Sequence, residues 1–278
     1  MSYAAATRAA GPEQNWLPLC DGTYLDDAAA GALPATIAGH GQPLLERLEL
    51  HPVLASRADD PLPTGAEVIY LAAGCFWGVE RIFWNQPGVL ATAVGYMGGG
   101  NHNPTYREVC TGHTGHAETV AVVYDPAVAG VGGQNLLRVF FENHDSTQAN
   151  RHGNDVGTQY RSAIWVTTPQ QAQAAAALRQ AFQSELDKLG DGRVCQTTIG
   201  DAAALESGQG GPFYLAEEYH QAYLHKNPGG YCNHGPNGIT CPMGIANLPA
   251  QTDVLPPELT YNLAQNYQNR KATKAAKQ

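Results

Sequence analysis

The sequence has few charged residues, no excess of positive charge and no long apolar run, and each absence narrows the range of functions. Charged residues make up 15% of the 278 positions, against about 25% in a typical globular chain. The formal net charge of −9 argues against a nucleic-acid partner, because phosphate binding requires a basic surface. No apolar run reaches the roughly 18 residues of a membrane span, and the start of the chain lacks the apolar core of a signal peptide. We therefore expect a cytoplasmic protein without a membrane or nucleic-acid partner.

Cysteine is present, but without the context of a disulfide scaffold. The chain has six cysteines, 31 glycines and 18 prolines. An even cysteine count indicates a disulfide framework in a short secreted chain, whereas this chain is long and shows no export signal. In a reducing compartment these thiols are buried filler, metal ligands or reactive groups, so each is judged by its neighbours. The six are Cys20, Cys75, Cys110, Cys195, Cys232 and Cys241.

The hydrophobic pattern predicts one α+β domain. Strands are expected over 68–72, 89–94, 118–124, 162–167 and 194–199, and helices over 75–86, 136–144, 169–189 and 216–225. The order β-α-β-β-α-β of the first six elements is that of the split βαβ arrangement. We expect a two-layer ferredoxin-like core with a mixed sheet, and with one helix and one strand appended.

Segments outside this core are predicted from composition. Residues 1–66 hold seven prolines and no sustained period, which indicates an extended N-terminal segment. The catalytic domain is expected over 67–245 and includes a long, glycine-rich C-terminal loop after residue 228. Residues 246–278 are expected to be a tail. Nothing in this pattern indicates an oligomer, so we expect a monomer.

Cys75 follows a predicted strand and Gly74, and it opens a predicted helix. Unpaired N–H groups and the helix dipole favour an anion at this position, so the thiolate is expected to be stabilised and its pKa lowered. Phe76 and Trp77 come next and could wall a pocket for a small apolar group. The alternative is a buried, inert cysteine among core aromatics.

Two further features could complete a reactive site. Glu118 begins a predicted strand; if it is buried, its raised pKa would make it a proton donor, whereas a solvated strand-end charge is the alternative. Cys232 and Cys241 lie in the glycine-rich loop, which suits thiols that travel during disulfide exchange. Only His234 lies between them among metal-binding residue types, a poor match to a zinc knuckle.

Five ordered motifs resemble those of the A-type peptide methionine sulfoxide reductases. The match extends from about residue 67 to residue 241, and its Gly-Cys-Phe-Trp signature is specific. Methionine sulfoxide is the oxidation product that this enzyme class returns to methionine. The motifs are residues 74–80, 95–99, 103–110, 115–118 and 157–162.

The resemblance implies a thiol relay that reduces methionine S-sulfoxide, protein-bound or free, and so repairs oxidised proteins. Cys75 is then the nucleophile and becomes a sulfenic acid, which Cys232 resolves before Cys241 takes over the disulfide. Thioredoxin or another dithiol is the implied reductant, and no bound cofactor is expected. The other implied roles are the methyl-binding walls Phe76 and Trp77, the acid Glu118, the oxygen-binding hydroxyls Tyr106 and Tyr160, and the water-mediated substrate contact Asp155.

The chain departs from the family pattern near its C-terminal cysteines. The Cys232–Cys241 spacer is one residue longer than in the relatives it most resembles, and Pro236 could stiffen it. Cys110 lies inside a shared motif without a transferable role, and Cys20 and Cys195 are interpreted as incidental or buried thiols.

Two other functions would use some of the same residues. A peroxide-reducing two-cysteine oxidoreductase would use the same thiols but needs neither the aromatic pair nor an acidic glutamate. A zinc-binding interaction module would use Cys232, Cys241, His234 and His220.

Overall fold

The computed structural model describes residues 40–206 and 213–240, and also the short paired strands Leu17–Pro18 (β1) and Tyr24–Leu25 (β2). The other strands are Glu67–Ala73 (β3), Val89–Met97 (β4), Ala117–Tyr124 (β5), Arg151–His152 (β6), Asp155–Val156 (β7), Ser162–Val166 (β8), Thr198–Asp201 (β9) and Tyr214–Leu215 (β10). The α-helices are Phe76–Trp84 (α1), Tyr106–Cys110 (α2), Pro126–Ala129 (α3), Gln134–Glu142 (α4), Pro169–Leu189 (α5), Ala202–Glu206 (α6) and Tyr223–Lys226 (α7). Within these ranges, no helix is both long and apolar enough to cross a bilayer.

Six strands form one sheet in the order β10-β4-β5-β3-β8-β9. Neighbouring strands are antiparallel except β8 and β9, which are parallel. Helix α1 links β3 to β4 across β5, and α4 lies between β5 and β8, which flank β3. This is the split βαβ topology. The predicted α+β, ferredoxin-like core with a mixed sheet is therefore confirmed, and α5 and β9 are the appended helix and strand.

Alternation along β3 builds the two faces of the sheet. Ile69 and Leu71 are fully buried in the main core, together with apolar residues of α1, α4 and α5. Ala72 points to the opposite face, where it belongs to a smaller cluster with Met97 and Trp165. Because successive strand residues point to opposite faces, β3 packs against apolar residues on both faces of the sheet. This packing fixes the position of Gly74, which follows the last residue of β3.

The predicted strand over 194–199 is wrong in its first four residues, since β9 begins at Thr198. The backbone N–H of Cys195 donates to Gln183 Oε1 at 2.8 Å, and that of Gln196 donates to the Ser146 carbonyl at 2.8 Å. These N–H groups are therefore committed to a side chain and a loop rather than to a sheet partner. The strand over 89–94, by contrast, is longer than predicted and continues through Tyr96, which pairs with Glu118 and Tyr214.

The predicted helix over 216–225 is replaced by a 3₁₀ turn, Glu218–His220, followed by α7. Between them Ala222 has a φ of +49°, in the left-handed region that non-glycine residues rarely adopt. The N–H of Ala222 donates to the buried Glu80 carboxylate, and the Gln221 amide exchanges hydrogen bonds with the Val94 backbone. These tertiary bonds stabilise a conformation that interrupts the helix.

The N-terminal segment contacts the core through its described part. Residues 40–66 contain no helix or strand, yet Leu48 and His51 are buried. The Ser56 hydroxyl donates to the Leu90 carbonyl at 2.6 Å. Residues 1–16, 19–23 and 26–39 of the predicted extension lie outside the described residues, as does the predicted tail over 246–278, so the predicted domain limits stay a prediction.

Glu80 connects α1 to three other segments. Its side chain is fully buried; Oε2 accepts from the Ala222 N–H at 2.9 Å and Oε1 accepts from the Thr92 hydroxyl at 3.2 Å. His51 Nε2 lies 3.6 Å from Oε1. A buried carboxylate is tolerated only when such partners replace water. Glu80 thus holds the turn after His220 against the helix that begins beside Cys75.

Replacing Glu80 should destabilise the whole fold. Glu80→Ala leaves a buried N–H and a buried hydroxyl without this acceptor, so we expect a loss of about 3 kcal/mol in the free energy of unfolding. Glu80→Gln keeps an acceptor oxygen and should lose less. Urea unfolding measures both, with the α5 surface variant Glu185→Ala as a control expected within about 0.5 kcal/mol of the parent. Equal midpoints for Glu80→Ala and Glu185→Ala would contradict this role.

Candidate functional site

Cys75 lies at the junction of β3 and α1, as the sequence predicted. It is the N-cap residue of α1 and its side chain is fully buried. The preceding Gly74 has a φ of +99°, and a Cβ there would lie 2.6 Å from His152 Cβ. Only glycine combines this backbone conformation with this close approach. The turn therefore places the thiol at a helix N-terminus, where backbone N–H groups point outward.

Glu118 shares this helix N-terminus. It lies on β5, is fully buried, and its Oε2 accepts from the Phe76 N–H at 2.9 Å. A carboxyl group is favoured there because it satisfies an N–H that lacks a helical partner. The interpretation of Glu118 as a solvated strand-end charge is wrong. The structure instead places the Glu118 carboxyl group at the backbone N–H of Phe76, the residue that follows Cys75.

Phe76 and Trp77 belong to a buried aromatic cluster. The Trp77 indole stacks on Tyr223, with ring centroids 3.8 Å apart and 14° between planes. Its Nε1–H donates to His220 Nδ1 at 3.0 Å. The Phe76 ring lies 5.8 Å from that of Tyr96 and 5.1 Å from that of His220. Both aromatic residues are thus held in defined orientations beside Cys75.

Tyr106 and Tyr160 are buried in the same core cluster as Cys75. Tyr106 begins α2, and its ring lies 4.5 Å from that of His220. Glu217 accepts from the Tyr106 N–H and from the Tyr96 hydroxyl, both at 2.9 Å. Burial and the Glu217 carboxylate raise the pKa of Tyr96 well above its ordinary value. These contacts fix the part of the cluster that Tyr96 and Tyr106 form.

Cys232 lies against α1. Arg81 Nη2 donates to the Cys232 Sγ at 2.9 Å. A Cβ on Gly78 would lie 3.0 Å from the same sulfur and would collide with the His234 ring. Because residues three apart on a helix are neighbours, about 5–6 Å between Cβ atoms, Cys232 lies beside the helical turn that follows Cys75. The structure therefore brings these two predicted thiols to one helix, and both are present as thiols.

The loop that carries Cys232 is attached to the domain at several points. His234 Nε2 donates to the Ala73 carbonyl at 2.7 Å, and its ring stacks on His152 with centroids 4.3 Å apart. Asn237 donates to the carbonyls of Phe141 and His144 at the end of α4. Burial, followed by the nearby His152, lowers the pKa of His234 to about 3. The imidazole is therefore neutral near pH 7, and its attachment does not require a charge.

Asp155 contacts this loop directly. Its Oδ1 accepts from the Tyr231 hydroxyl at 3.0 Å and its Oδ2 from the Asn233 amide at 3.4 Å. Burial raises the pKa of Asp155, and the Tyr231 hydrogen bond opposes that increase. Asp155, which the resemblance implies is a substrate contact, thus binds the loop that carries Cys232 in this conformation.

Two of the remaining cysteines are buried in the same core cluster as Cys75, and the other two lie outside the described residues. Cys195 is buried with Ser146 and Thr197 as its polar neighbours, and Cys110 is buried at the end of α2. Cys20 and Cys241 lie outside the described residues. Within residues 40–206 and 213–240, no group of three metal-binding side chains is arranged to hold an ion.

The residues proposed for a zinc module are separated by their own contacts. His220 accepts from the Trp77 indole, whereas His234 donates to the Ala73 carbonyl. In the described part of the chain, the two imidazoles are thus committed to different parts of the core.

Several residues at the site were not predicted as part of it. Arg81 and Glu217 carry no local motif that identifies their partners, and His220 was considered only as a zinc ligand. Arg81 lies three residues after Gly78, so the two positions are neighbours on the surface of α1. The identity of the loop that reaches this face depends on the tertiary fold.

Comparison with known proteins identifies what the chain resembles. The family model described as peptide methionine sulfoxide reductase matches residues 67–240. A protein of Agrobacterium fabrum named peptide methionine sulfoxide reductase MsrA is 55% identical over 196 residues, 70% of this chain and 86% of the relative. One of the same name from Rhodospirillum centenum is 53% identical over 220 residues, 78% of this chain and 93% of the relative.

Solved structures agree with the sequence comparison. Methionine sulfoxide reductase A of Corynebacterium diphtheriae is 43% identical, with a TM-score of 0.62, and the match covers 74% of this chain and 95% of that one. The reduced form of Mxr1 from Saccharomyces cerevisiae is 34% identical, with a TM-score of 0.52, and covers 61% of this chain and 90% of that one.

A methyl group at position 78 should displace the loop from α1. Gly78→Ala favours the helix itself by about 1 kcal/mol but collides with His234 and crowds Cys232. We expect Cys232 to react with iodoacetamide about tenfold faster than in the parent chain, because its sulfur becomes more exposed. Peptide mapping by mass spectrometry measures this rate. Gly229→Ala is the matched control, since a Cβ there meets nothing within 4 Å. Equal rates of Cys232 alkylation in Gly78→Ala and Gly229→Ala would contradict the contact between the loop and α1.

Proposed function

Because the chain belongs to the peptide methionine sulfoxide reductase family, we propose that it repairs oxidised proteins by reducing methionine S-sulfoxide, protein-bound or free, to methionine. One observation carries the proposal. The helix that begins beside Cys75 has the Glu118 carboxyl group on its first N–H and the Cys232 sulfur against its next turn. A nucleophile, an acid and a second thiol are the groups that this reduction needs.

The first step transfers oxygen from the substrate to Cys75. The Cys75 thiolate attacks the sulfoxide sulfur and forms an S–S bond; as the protonated oxygen moves from the substrate sulfur to the Cys75 sulfur, the substrate S–O bond and the S–S bond break, and the products are methionine and a Cys75 sulfenic acid. Sulfur in the substrate is reduced by two electrons and sulfur in Cys75 is oxidised by two. The helix N-terminus supports this role because its N–H groups favour the anionic nucleophile.

Glu118 acts as the general acid in this step. The sulfoxide oxygen is a poor leaving group until it is protonated, so a proton must arrive as the S–O bond weakens. Complete burial favours the neutral form of a carboxyl group, which is the form that donates. The hydroxyls of Tyr106 and Tyr160 bind the same oxygen, while Phe76 and Trp77 wall the site for the methyl group. Asp155 exchanges its loop contacts for a water-mediated contact with the substrate.

Cys232 then resolves the sulfenic acid. Its sulfur attacks that of Cys75, water leaves, and a Cys75–Cys232 disulfide forms. Cys241, which lies outside the described residues, attacks Cys232 next, so that the disulfide moves to Cys232–Cys241 and Cys75 returns to the thiol. The position of the loop supports this order, because residues 231–240 are only partly buried and less buried segments open at lower free-energy cost than the core.

The electrons come from a protein dithiol, for which we propose thioredoxin. Thiol–disulfide exchange needs an accessible disulfide and a partner thiolate, and no bound cofactor enters any step. A cytoplasmic location, where thiols are kept reduced, and a monomeric state complete the proposal. A peroxide-reducing enzyme would not need the buried acid beside the nucleophile.

Separate cysteine substitutions test the relay. Cys75→Ser should form no methionine in a single turnover, because a hydroxyl is a far weaker nucleophile at neutral pH. Cys232→Ser should release about one methionine per enzyme and then fail to turn over with thioredoxin. Cys195→Ser, whose hydroxyl can keep the contacts with Ser146 and Thr197, should behave as the parent.

Amino-acid analysis of the methionine formed, and mass spectrometry of the disulfide after one turnover, measure these outcomes. Methionine release by Cys75→Ser would show that Cys75 is not the nucleophile. Full turnover of Cys232→Ser with thioredoxin would show that another group resolves the sulfenic acid.

An isosteric change at the acid should affect chemistry more than binding. Glu118→Gln keeps an oxygen that can accept from the Phe76 N–H but cannot donate an acidic proton, so we expect the single-turnover rate to fall by about 100-fold or more with KM nearly unchanged. Glu67→Gln, at the opposite end of the sheet, is the control and should retain the parent rate. A single-turnover rate of Glu118→Gln within a few-fold of the parent rate would show that Glu118 is not the general acid.

A further inference from the structure

His234 attaches the loop that carries Cys232 to the turn that carries Cys75, and the steps described above give it no role. Its Nε2–H donates to the Ala73 carbonyl at 2.7 Å. Ala73 is the last residue of β3 and lies two positions before Cys75, while His234 lies two positions after Cys232. One hydrogen bond therefore connects the two chain segments that hold the proposed nucleophile and the proposed resolving thiol.

The His234 ring is also restricted by packing on two sides. It stacks on His152, with ring centroids 4.3 Å apart and 18° between planes. Its Nδ1 would collide with a Cβ on Gly78, and the Cys232 sulfur lies 3.0 Å from that same point. The imidazole thus occupies the space that Gly78 leaves on α1, beside the Cys232 sulfur.

His152, the stacking partner, belongs to the domain and not to the loop. It is buried on the short strand β6 and packs closely against Gly74, the residue before Cys75. Its carbonyl accepts from the Asn233 amide at 3.1 Å. The surface on which the His234 ring rests is therefore part of the same turn that positions the nucleophile.

The other loop attachments end elsewhere. Tyr231 and Asn233 bind Asp155 on β7, and Asn237 binds the carbonyls at the end of α4. These bonds hold the loop on the domain, whereas the His234 bond ends on the backbone that leads directly into Cys75. It is thus the attachment that relates the position of one thiol to that of the other.

We propose that His234 is a positioning residue for the resolving step, and that its hydrogen bond to Ala73 aligns the Cys232 sulfur with the Cys75 sulfenic acid. The inference rests on the proposed function, since it assigns a residue to one step of that relay. In this step an S–S bond forms, the S–O bond of the sulfenic acid breaks, and the oxygen leaves as water with the thiol proton. The Cys232 sulfur is oxidised and the Cys75 sulfur is reduced, each formally by one electron.

Alignment matters for this step and not for the one before it. The attacking sulfur must approach opposite the departing oxygen, and a misplacement of about 1 Å can cost about 100-fold in rate. Oxygen transfer from the substrate uses Cys75 and Glu118, neither of which lies on the loop. Loss of the His234 bond should therefore slow disulfide formation and leave methionine formation unchanged.

The matched pair His234→Gln and His234→Met isolates the hydrogen bond. The two side chains have similar lengths, and only Gln offers an N–H donor close to the position of Nε2. His234 Nδ1 has no hydrogen-bond partner among the described residues, so Gln has one bond to replace. Because burial lowers the pKa of His234 to about 3, the imidazole is neutral near pH 7 and neither variant changes the charge.

The experiment is a single turnover with methionine S-sulfoxide, without reductant and in the presence of dimedone, which captures sulfenic acids. Dimedone competes with Cys232, so the ratio of Cys75–dimedone adduct to Cys75–Cys232 disulfide reports resolution whatever the rate of oxygen transfer. All chains carry Cys241→Ser, so that the first disulfide is not passed on, and mass spectrometry measures both products. Dimedone capture in Cys232→Ser, with and without His234→Met, corrects for access of the reagent.

We expect the corrected ratio to rise about tenfold or more in His234→Met and to stay within about threefold of the parent in His234→Gln. Methionine formation should match the parent in both variants. Equal ratios in the two variants, or a parent-like ratio in His234→Met, would overturn the proposal. A fall in methionine formation as large as the fall in resolution would overturn it too, since a general structural defect affects both steps.

Two further outcomes are distinguishable from these. If circular dichroism shows that His234→Met does not fold, His234→Leu removes the donor instead; its ratio should rise equally, and a parent-like value would overturn the inference. A parent chain that forms no methionine would refute the proposed function itself, whereas failure of the His234 inference leaves methionine formation intact.

Discussion

The hydrogen bond from the Phe76 N–H to the Glu118 carboxylate is the contact on which the site depends. It joins the first turn of α1 to the strand β5, and both groups are fully buried. A buried carboxyl group needs a donor, and the first N–H groups of a helix need an acceptor. Each requirement satisfies the other here, with the result that the proposed acid and the proposed nucleophile are held next to each other.

The nine-residue helix α1 also organises the segments that close the site. Glu80 binds the turn after His220, Arg81 binds the Cys232 sulfur, and Gly78 leaves room for the loop. The first of these contacts is fully buried, whereas the loop residues 231–240 are only partly buried. This difference suits the proposed relay, because the aromatic walls must stay in place while a thiol moves.

Much of the fold was predictable from the sequence, and the failures share one physical cause. The short apolar run of β3 and the helical spacing after Cys75 depend on local residues, and both elements form where expected. The segment 216–225 has helical spacing as well, yet Ala222 adopts a positive φ because the distant Glu80 takes its N–H. Tertiary hydrogen bonds overrode local propensity there and at 194–197.

The sequence alone determined the order of the elements, the cysteine at a helix start, and the residue types that a sulfoxide reduction needs, since these follow from local periodicity and from motifs contiguous in the chain. Only the tertiary structure decided that Glu118 is buried rather than solvated, that Arg81 contacts Cys232, and that His220 holds the Trp77 indole. These are contacts between residues 42 to 151 positions apart. Partners at such separations are fixed by sheet register and chain topology, which no local pattern encodes.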